Sequence, residues 1–438
     1  MDNIYRKIHK SLPVYSIPDN DRTIIYTPGL TKFYPTGLIG HLTDISEVNN
    51  SLGQIFIDID EIIHSAEISV KNWNTLFQSQ FTPECLTIYP GNACNLNCKY
   101  CYVNEKNDKT IDKEFVRTAI EYMVKSCARE RKTFNIVFHG GGEPTFNFTL
   151  LQDLYKMAFQ ITSKHKVSIY SYLATNGIFS ETQAKWLAVH FDRIGVSCDG
   201  FSGINDSQRY SSTFKNRSET LKRNVLTMLE LNDNVDIRVT ITPESMCYME
   251  EIVRYIVNEM YIKNIRIEPV YSFGKNGFKP DEAERYATFF LSTTKLAKKL
   301  GANVSYSGIR LNEIHSSYCD VLRNTIRITP ENEIINCFFD SNSSMVEATY
   351  NKLGGYFDNN LNIYIKQIEN IKGKLNSIPS ICNDCINIYH CSRACPEYCM
   401  LSKEKTDEIK LKHNFRCLLN KELAIKIIKE GVRTSERL

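Results

Sequence analysis

Fifteen cysteines stand in this 438-residue chain, and most of them are grouped. Cys94, Cys98 and Cys101 fall in GNACNLNCKYCYVNE with the spacing C-x3-C-x2-C. Three thiolates on one short loop can hold three irons of a cubane cluster. The fourth iron then has no protein ligand, and an open metal position can bind and activate a small molecule. Zinc sites want four ligands, commonly in C-x2-C pairs, whereas this loop offers three with an uneven gap. A second group is Cys382, Cys385, Cys391, Cys395 and Cys399, with Cys417 after it and the pair Cys319 and Cys337 before it. Cys85, Cys127, Cys198 and Cys247 stand alone and read as small buried hydrophobes.

The elements around the first loop follow a repeating pattern. CLTIYP, FNIVFHGG, SIYSYLATNG, RIGVSCDG, VDIRVTITP and IRIEPVYSF read as strands. Segments of helical periodicity separate them, among them DKEFVRTAIEYMVKSCARE, FTLLQDLYKMAFQITSK and MEEIVRYIVNEMY. Such alternation implies parallel strands with right-handed crossovers. Six βα units predict an α/β fold, a partial (β/α)6 TIM-like barrel over about 86–310, with chemistry at the carboxyl ends of its strands. The cysteine loop directly follows CLTIYP, so it occupies such an end. Residues 1–85 predict a small α+β unit, with strands at RTIIYTP and IFIDID and turns at PDND and PTG. From 311 to 438 the pattern breaks into short strands, loops and cysteines, closing on the helix NKELAIKIIKEGV. A Cys-dense segment of low apolar content implies a unit held by metal more than by a large core.

Composition sets the outer limits. Hydrophobic residues make up 42% and charged residues 24%, an ordinary globular balance. The net charge of +3 does not point to a nucleic-acid or membrane-surface protein. No apolar run reaches the ~18 residues of a membrane span, and the start carries no apolar signal core. The expectation is a cytoplasmic protein, where clustered cysteines bind metal or do redox chemistry.

Cys94-x3-Cys98-x2-Cys101, with Tyr100 before the last cysteine, resembles the radical S-adenosylmethionine (SAM) enzymes. Gly140, Gly141, Gly142, Glu143 and Pro144 in HGGGEP look like that family's motif after the second strand, which contacts the methionyl amine of SAM. Glycines let a backbone approach a ligand closely, and a carboxylate suits an ammonium. The resemblance places Thr175, Asn176 and Gly177 near the ribose, puts Ser197, Asp199 and Gly200 at the next strand end, and aims Arg238 at the SAM carboxylate. It implies a cluster that cleaves SAM to a 5′-deoxyadenosyl radical, which takes a hydrogen atom from substrate. The protein then orients substrate and excludes water and oxygen.

Cys382-x2-Cys385-x5-Cys391-x3-Cys395 resembles the auxiliary-cluster domain called SPASM, found on peptide and protein maturases. Cys319 and Cys337 fit its earlier pair, with Asn332 in place of the usual glycine. Asn is the best non-glycine residue for a left-handed turn, so the hairpin TPENEII can form. The resemblance implies Cys382, Cys385, Cys391 and Cys417 on one auxiliary cluster, and Cys319, Cys337 and Cys395 on another. Cys399, His315 or an open position completes the latter. Three 4Fe-4S clusters and SAM are thus the implied cofactors.

The function this implies is maturation of a ribosomally made precursor peptide, by a thioether or carbon–carbon cross-link. Electrons would come from a reduced flavodoxin or ferredoxin-type donor, with residues 1–85 as a possible leader-recognition unit. Such units can capture a peptide by adding a strand to a sheet edge. A sulfatase-type maturase is an alternative, but Cys337 is followed by Phe338 and Phe339, with Asp340 only third. A small-molecule dehydrogenase is another. A non-catalytic iron–sulfur electron carrier would need the cysteines but not Glu143 or the glycines.

Overall fold

The computed structural model describes residues 4–35, 44–45, 53–78, 81–101, 103, 106–212, 214–271, 277–314, 324–336, 352–376, 380–391 and 414–431. The chain begins with an antiparallel sheet of β1 (Arg6–Lys7), β2 (Tyr15–Asp19), β3 (Arg22–Thr27) and β4 (Leu30–Pro35), in that order. PDND makes the β2–β3 turn, with Asn20 in the left-handed region at φ 51°. Alternation gives the sheet two faces. Ile25 and Tyr34 pack on Ile62 and Ala66 of α1 (Gly53–Gln78), while Ile17, Ile24 and Tyr26 join the main core.

IFIDID, expected as a strand, lies inside α1. Its short alternation is outweighed by the longer pattern that follows. Among its described side chains, Ile62, Ala66, Ser69 and Trp73 are the buried positions, and their spacing of four, three and four is a helical stripe.

The barrel strands are β5 (Cys85–Ile88), β7 (Phe134–Phe138), β8 (Ile169–Thr175), β9 (Arg193–Ser197), β11 (Val235–Ile241) and β12 (Asn264–Pro269). They pair in parallel in that order. Between them run α2 (Lys113–Glu130), α3 (Phe148–His165), α4 (Glu181–His190), α5 (Ser202–Gln208) with α6 (Arg217–Leu229), and α7 (Met249–Met260). Local chemistry sets these helix starts: Asp112 and Asn147 cap α2 and α3, and Ser180 with Gln183 forms a capping box on α4. A two-strand ribbon of β6 (Asn97–Cys98) and β10 (Arg209–Tyr210) stands apart from the sheet.

The sheet continues past six strands at both sides. After α8 (Ala283–Lys299), β13 (Asn303–Ser305) adds in parallel to β12. β14 (Thr325–Ile328) returns to pair in parallel with β5, and β15 (Glu333–Ile335), β16 (Lys352–Phe357) and β17 (Asn360–Ile363) extend it antiparallel. Asn332 takes φ 60° in the β14–β15 turn, the left-handed geometry that TPENEII requires. The chain then forms α9 (Ile365–Asn376) and α10 (Phe415–Lys429). Phe415 stacks on Phe278 at 4.6 Å, and Asn420 accepts a hydrogen bond from the Tyr306 hydroxyl at 3.0 Å, so α10 seats on the barrel.

The core lies between sheet and helices. On β11, Val235, Ile237, Val239 and Ile241 are buried toward the helices, and each such side chain contributes about 1.5–3 kcal/mol. Asp236, Arg238 and Thr240 face the concave side. Of the lone cysteines, Cys127 and Cys198 are buried as expected; Cys85 is half-buried, and Cys247 is exposed just before α7. Among the described residues no helix is long and apolar enough to cross a membrane.

Candidate active site

β5 delivers the chain to the cysteine loop at its carboxyl end. The loop is fastened at several backbone points: Gly91 bridges Thr110, the Cys101 N–H meets the Cys98 carbonyl at 3.1 Å, and Cys98 pairs with Arg209 across the ribbon. Cys94 accepts the Leu96 N–H at 3.4 Å and sits 3.9 Å from the Asn176 amide nitrogen. Burial, reinforced by the Glu143 carboxylate, pushes the Cys94 thiol up to about 11. Burial also raises Cys98, with Arg209 opposing it. Cys101 is exposed. Buried thiols of this kind become thiolates when a cation offsets the desolvation cost. Among the described residues no three His, Cys, Asp or Glu side chains already close on one point. The donor set itself, three sulfurs on one pinned loop at a strand end, suits an iron–sulfur cluster with an open iron.

Gly140–Pro144 follow β7 and lie against that loop. A Cβ on Gly142 would stand 1.9 Å from the Ala93 carbonyl oxygen, and one on Gly141 2.7 Å from that of Gly91. The Gly142 and Glu143 N–H groups donate to those same two carbonyls, from Gly91 and Ala93 respectively, each at 2.8 Å. These glycines therefore admit the cysteine loop's own backbone. The Glu143 carboxylate is likewise turned inward. Its Oε1 accepts from the Thr145 N–H (3.1 Å), the Thr145 hydroxyl (2.8 Å) and the Thr175 hydroxyl (2.6 Å), and its Oε2 from the Asn176 N–H (2.7 Å). Burial raises its pKa, and these bonds pull it back. Glu143 is thus a fastener between the ends of β7 and β8. Asn176 carries the link on, its amide donating to the Asn95 side chain at 2.7 Å.

Asp199 has no exposed surface, and Tyr100 comes to it from the cysteine loop. The Tyr100 hydroxyl donates to Asp199 Oδ2 at 2.5 Å and accepts from Arg209 at 2.5 Å. Asp199 Oδ1 takes the Thr240 N–H at 3.0 Å and faces Arg209 at 3.8 Å. Burial raises the Asp199 carboxyl, and the Arg209 charge opposes that. This buried Arg–Tyr–Asp chain ties the cysteine loop to the ends of β9 and β11. Sequence reasoning does not single out Arg209, because QRY inside a polar stretch looks like surface. Ser197 is half-buried at the end of β9, beside Arg238 in the strand register.

Arg238 lies at mid-strand on the concave face and donates to His139 Nε2 at 2.9 Å, across the barrel. A guanidinium can only donate, so Nε2 is the acceptor and the ring is neutral. Burial, then Arg238 and Arg327, hold the His139 pKa well below the usual imidazole value. Sequence reasoning does not single out His139 or Arg327 either. Both could have been found from position, as inward-facing sites at or near the strand ends.

The second cysteine group is described in part. Cys319, Cys337, Cys395 and Cys399, with His315, Phe338, Phe339 and Asp340, lie outside the described residues or have side chains that do. Cys382, Cys385 and Cys391 share one turn-rich segment, in which the Cys385 N–H meets the Cys382 carbonyl at 3.1 Å. Cys391 bridges Ile309. Lys421 of α10 is close enough to pull the Cys385 thiol downward against burial. Cys417 precedes Lys421 by four residues, so it shares that helix face. Three thiols on a turn with a fourth on the adjoining helix suit a fully ligated cluster.

Comparison with known proteins agrees with this geometry. Residues 88–256 match the family model described as the radical SAM superfamily. An uncharacterised protein of Methanocaldococcus jannaschii is 29% identical over 167 residues, 38% of this chain and 56% of that one. A protein of Methanothermobacter thermautotrophicus is 28% identical over 128 residues, 29% and 47% respectively. The chain thus spans about half the length of the curated relatives it matches. The solved structure of anSMEcpe with bound AdoMet aligns at TM-score 0.60 and 17% identity, covering 80% of this chain and all of that one. Streptococcus suis SuiB bound to precursor peptide SuiA aligns at TM-score 0.54 and 15% identity, covering 90% and 100%. At those identities the likeness is one of fold. The α/β architecture matches the radical SAM partial barrel, and residues 88–256, which match that family's model, carry the cysteine loop at the carboxyl end of β5.

Proposed function

We propose that the protein is a radical SAM maturase acting on a ribosomally made precursor peptide, working in the cytoplasm with a flavodoxin or ferredoxin-type donor. The observation that carries this reading is the three-cysteine loop, pinned at the end of β5 by the glycine loop and by Asp199, Tyr100 and Arg209. Cys94, Cys98 and Cys101 would hold one 4Fe-4S cluster. When bound, that cluster and SAM supply a 5′-deoxyadenosyl radical. Tyr100, Gly141, Gly142, Glu143, Pro144, Asn176 and Asp199, on the cysteine loop and the adjoining strand ends, would line the SAM site. Ser197 and Arg238 offer polar contacts on the concave side. Cys382, Cys385, Cys391 and Cys417 would hold one auxiliary cluster, and Cys319, Cys337 and Cys395, completed by Cys399, His315 or an open position, another, in a SPASM domain over 311–438. The fold shared with SuiB, whose structure contains a precursor peptide, supports a peptide as substrate.

Iron and acid-labile sulfide per chain after anaerobic reconstitution test the cluster assignments. Wild type should hold about 12 irons, and the Cys94/Cys98/Cys101→Ala variant about 8 with SAM cleavage lost. A wild-type count near 4 would remove the auxiliary clusters and, with them, the main support for a maturase.

A further inference from the structure

Parallel pairing lines up one row of side chains across four strands. Ser197 of β9 stands opposite Arg238 of β11, Arg238 opposite Arg266 of β12, and Arg266 opposite Ser305 of β13. Residues paired in register share a face of the sheet. On β12 the buried residues are Ile265, Ile267 and Pro269, so Arg266 points to the concave side with Arg238. The row therefore reads hydroxyl, guanidinium, guanidinium, hydroxyl. Like charges side by side on neighbouring strands are destabilising, and an anion held between them removes that cost. Arg238 is engaged with His139. Arg266 is exposed, and among the described residues its side chain makes no hydrogen bond or ion pair. The carboxylates two residues away on the same face have other partners: Asp236 takes Arg193, and Glu268 Oε1 accepts the Ser307 N–H at 2.9 Å. The row also lies two residues back along the strands from Thr240, whose N–H meets Asp199. It is thus about 7 Å deeper in the barrel than the buried chain that fastens the cysteine loop.

We propose that Arg266, with Arg238 and Ser305 beside it, binds a carboxylate of the substrate peptide. The inference rests on the reading of a peptide as substrate. A guanidinium presents paired N–H donors in a plane that matches the two oxygens of a carboxylate, and the neighbouring hydroxyl adds a further donor. The carboxylate comes either from an acidic side chain or from the peptide's own carboxyl end. Arg266 touches no reacting atom in this role. It anchors the peptide on the concave face and selects for charge at one position of it.

The test uses the full chain, reconstituted without oxygen and supplied with SAM, and measures the binding of three short peptides by saturation-transfer nuclear magnetic resonance. The probes are acetyl-Ala-Glu-Ala-amide, acetyl-Ala-Gln-Ala-amide and acetyl-Ala-Ala-Ala with a free carboxyl end. At least one carboxylate-bearing probe should bind about fivefold tighter than the Gln amide, the scale of a solvent-facing ion pair. Whichever of the two it is identifies the source of the carboxylate. Arg266→Gln should bring the preference to about one, and Arg266→Lys should keep part of it, because the charge stays while the planar fork is lost. Iron content and SAM affinity, read in parallel, separate this role from others. A preference that survives Arg266→Gln, or equal binding of all three probes to wild type, overturns the inference. Weakened SAM binding in Arg266→Gln overturns it too, by assigning the arginine to SAM. Binding of none of the three probes removes the peptide reading and this inference with it.

Discussion

Arg209 is a buried cation whose loss is felt directly in stability. It is buried with Asp199, and Tyr100 bridges the two. Arg209→Ala leaves a carboxylate uncompensated in the interior, a loss of about 3–5 kcal/mol. Anaerobic denaturant unfolding should show that loss, and adding Asp199→Asn should recover part of it. Unchanged stability in the single variant would mean the pair is solvated. His139 makes a second expectation. Its folded pKa is depressed well below the unfolded value of about 6.5, because burial and two arginines disfavour its charge. The unfolded chain therefore takes up a proton that the folded chain refuses as pH falls below about 6.5. Stability is fully present above that pH and declines below it, and His139→Gln should flatten the slope between about pH 7 and 5.

The glycine loop separates space from strain at the scale of elements. Gly142→Ala places a methyl group 1.9 Å from the Ala93 carbonyl, so one of the two loops has to move. The expected result is loss of about four irons per chain, those of the cysteine loop. Gly301, at φ 74° with nothing within 4 Å of where a Cβ would stand, supplies the contrast. Gly301→Ala costs only backbone strain, about 1–2 kcal/mol, and should keep all its iron. Most elements are legible from pattern: the six barrel strands and the helices between them follow the periodicity of their residues. IFIDID misleads because six alternating residues fit a strand locally, while the buried positions Ile62, Ala66 and Trp73 of the same element follow a helical stripe.

Across the whole molecule, the amino-terminal sheet and the carboxy-terminal segments share one core. Tyr26, on β3, places its hydroxyl 2.6 Å from His390 Nε2, and His390 Nδ1 meets the Glu313 carbonyl at 2.7 Å. Arg22 of the same strand reaches the Lys429 carbonyl at 2.7 Å. Tyr26→Phe leaves the buried imidazole nitrogen without its partner, at about 1–3 kcal/mol. Amide hydrogen exchange should then speed up together in 15–26 and 382–391. Faster exchange in only one of the two would show that they open independently.

Spacing along the chain by itself determined which chemistry this protein has the groups for, because C-x3-C-x2-C and the later cysteine run are local and survive without coordinates. The alternating pattern determined the barrel for the same reason, since periodicity reports which face of each element is apolar. What Glu143, the glycines and Arg238 touch was decided only by tertiary structure. Glu143 reads in the sequence as a ligand for an ammonium, and the fold surrounds its carboxylate with donors from Thr145, Thr175 and Asn176; a carboxylate's type carries no record of which donors come within about 3 Å of it. Arg209, His139 and the reach of Tyr15 to the Cys385 carbonyl are invisible in the sequence for that reason too: they join segments far apart along the chain, and only folding brings those together.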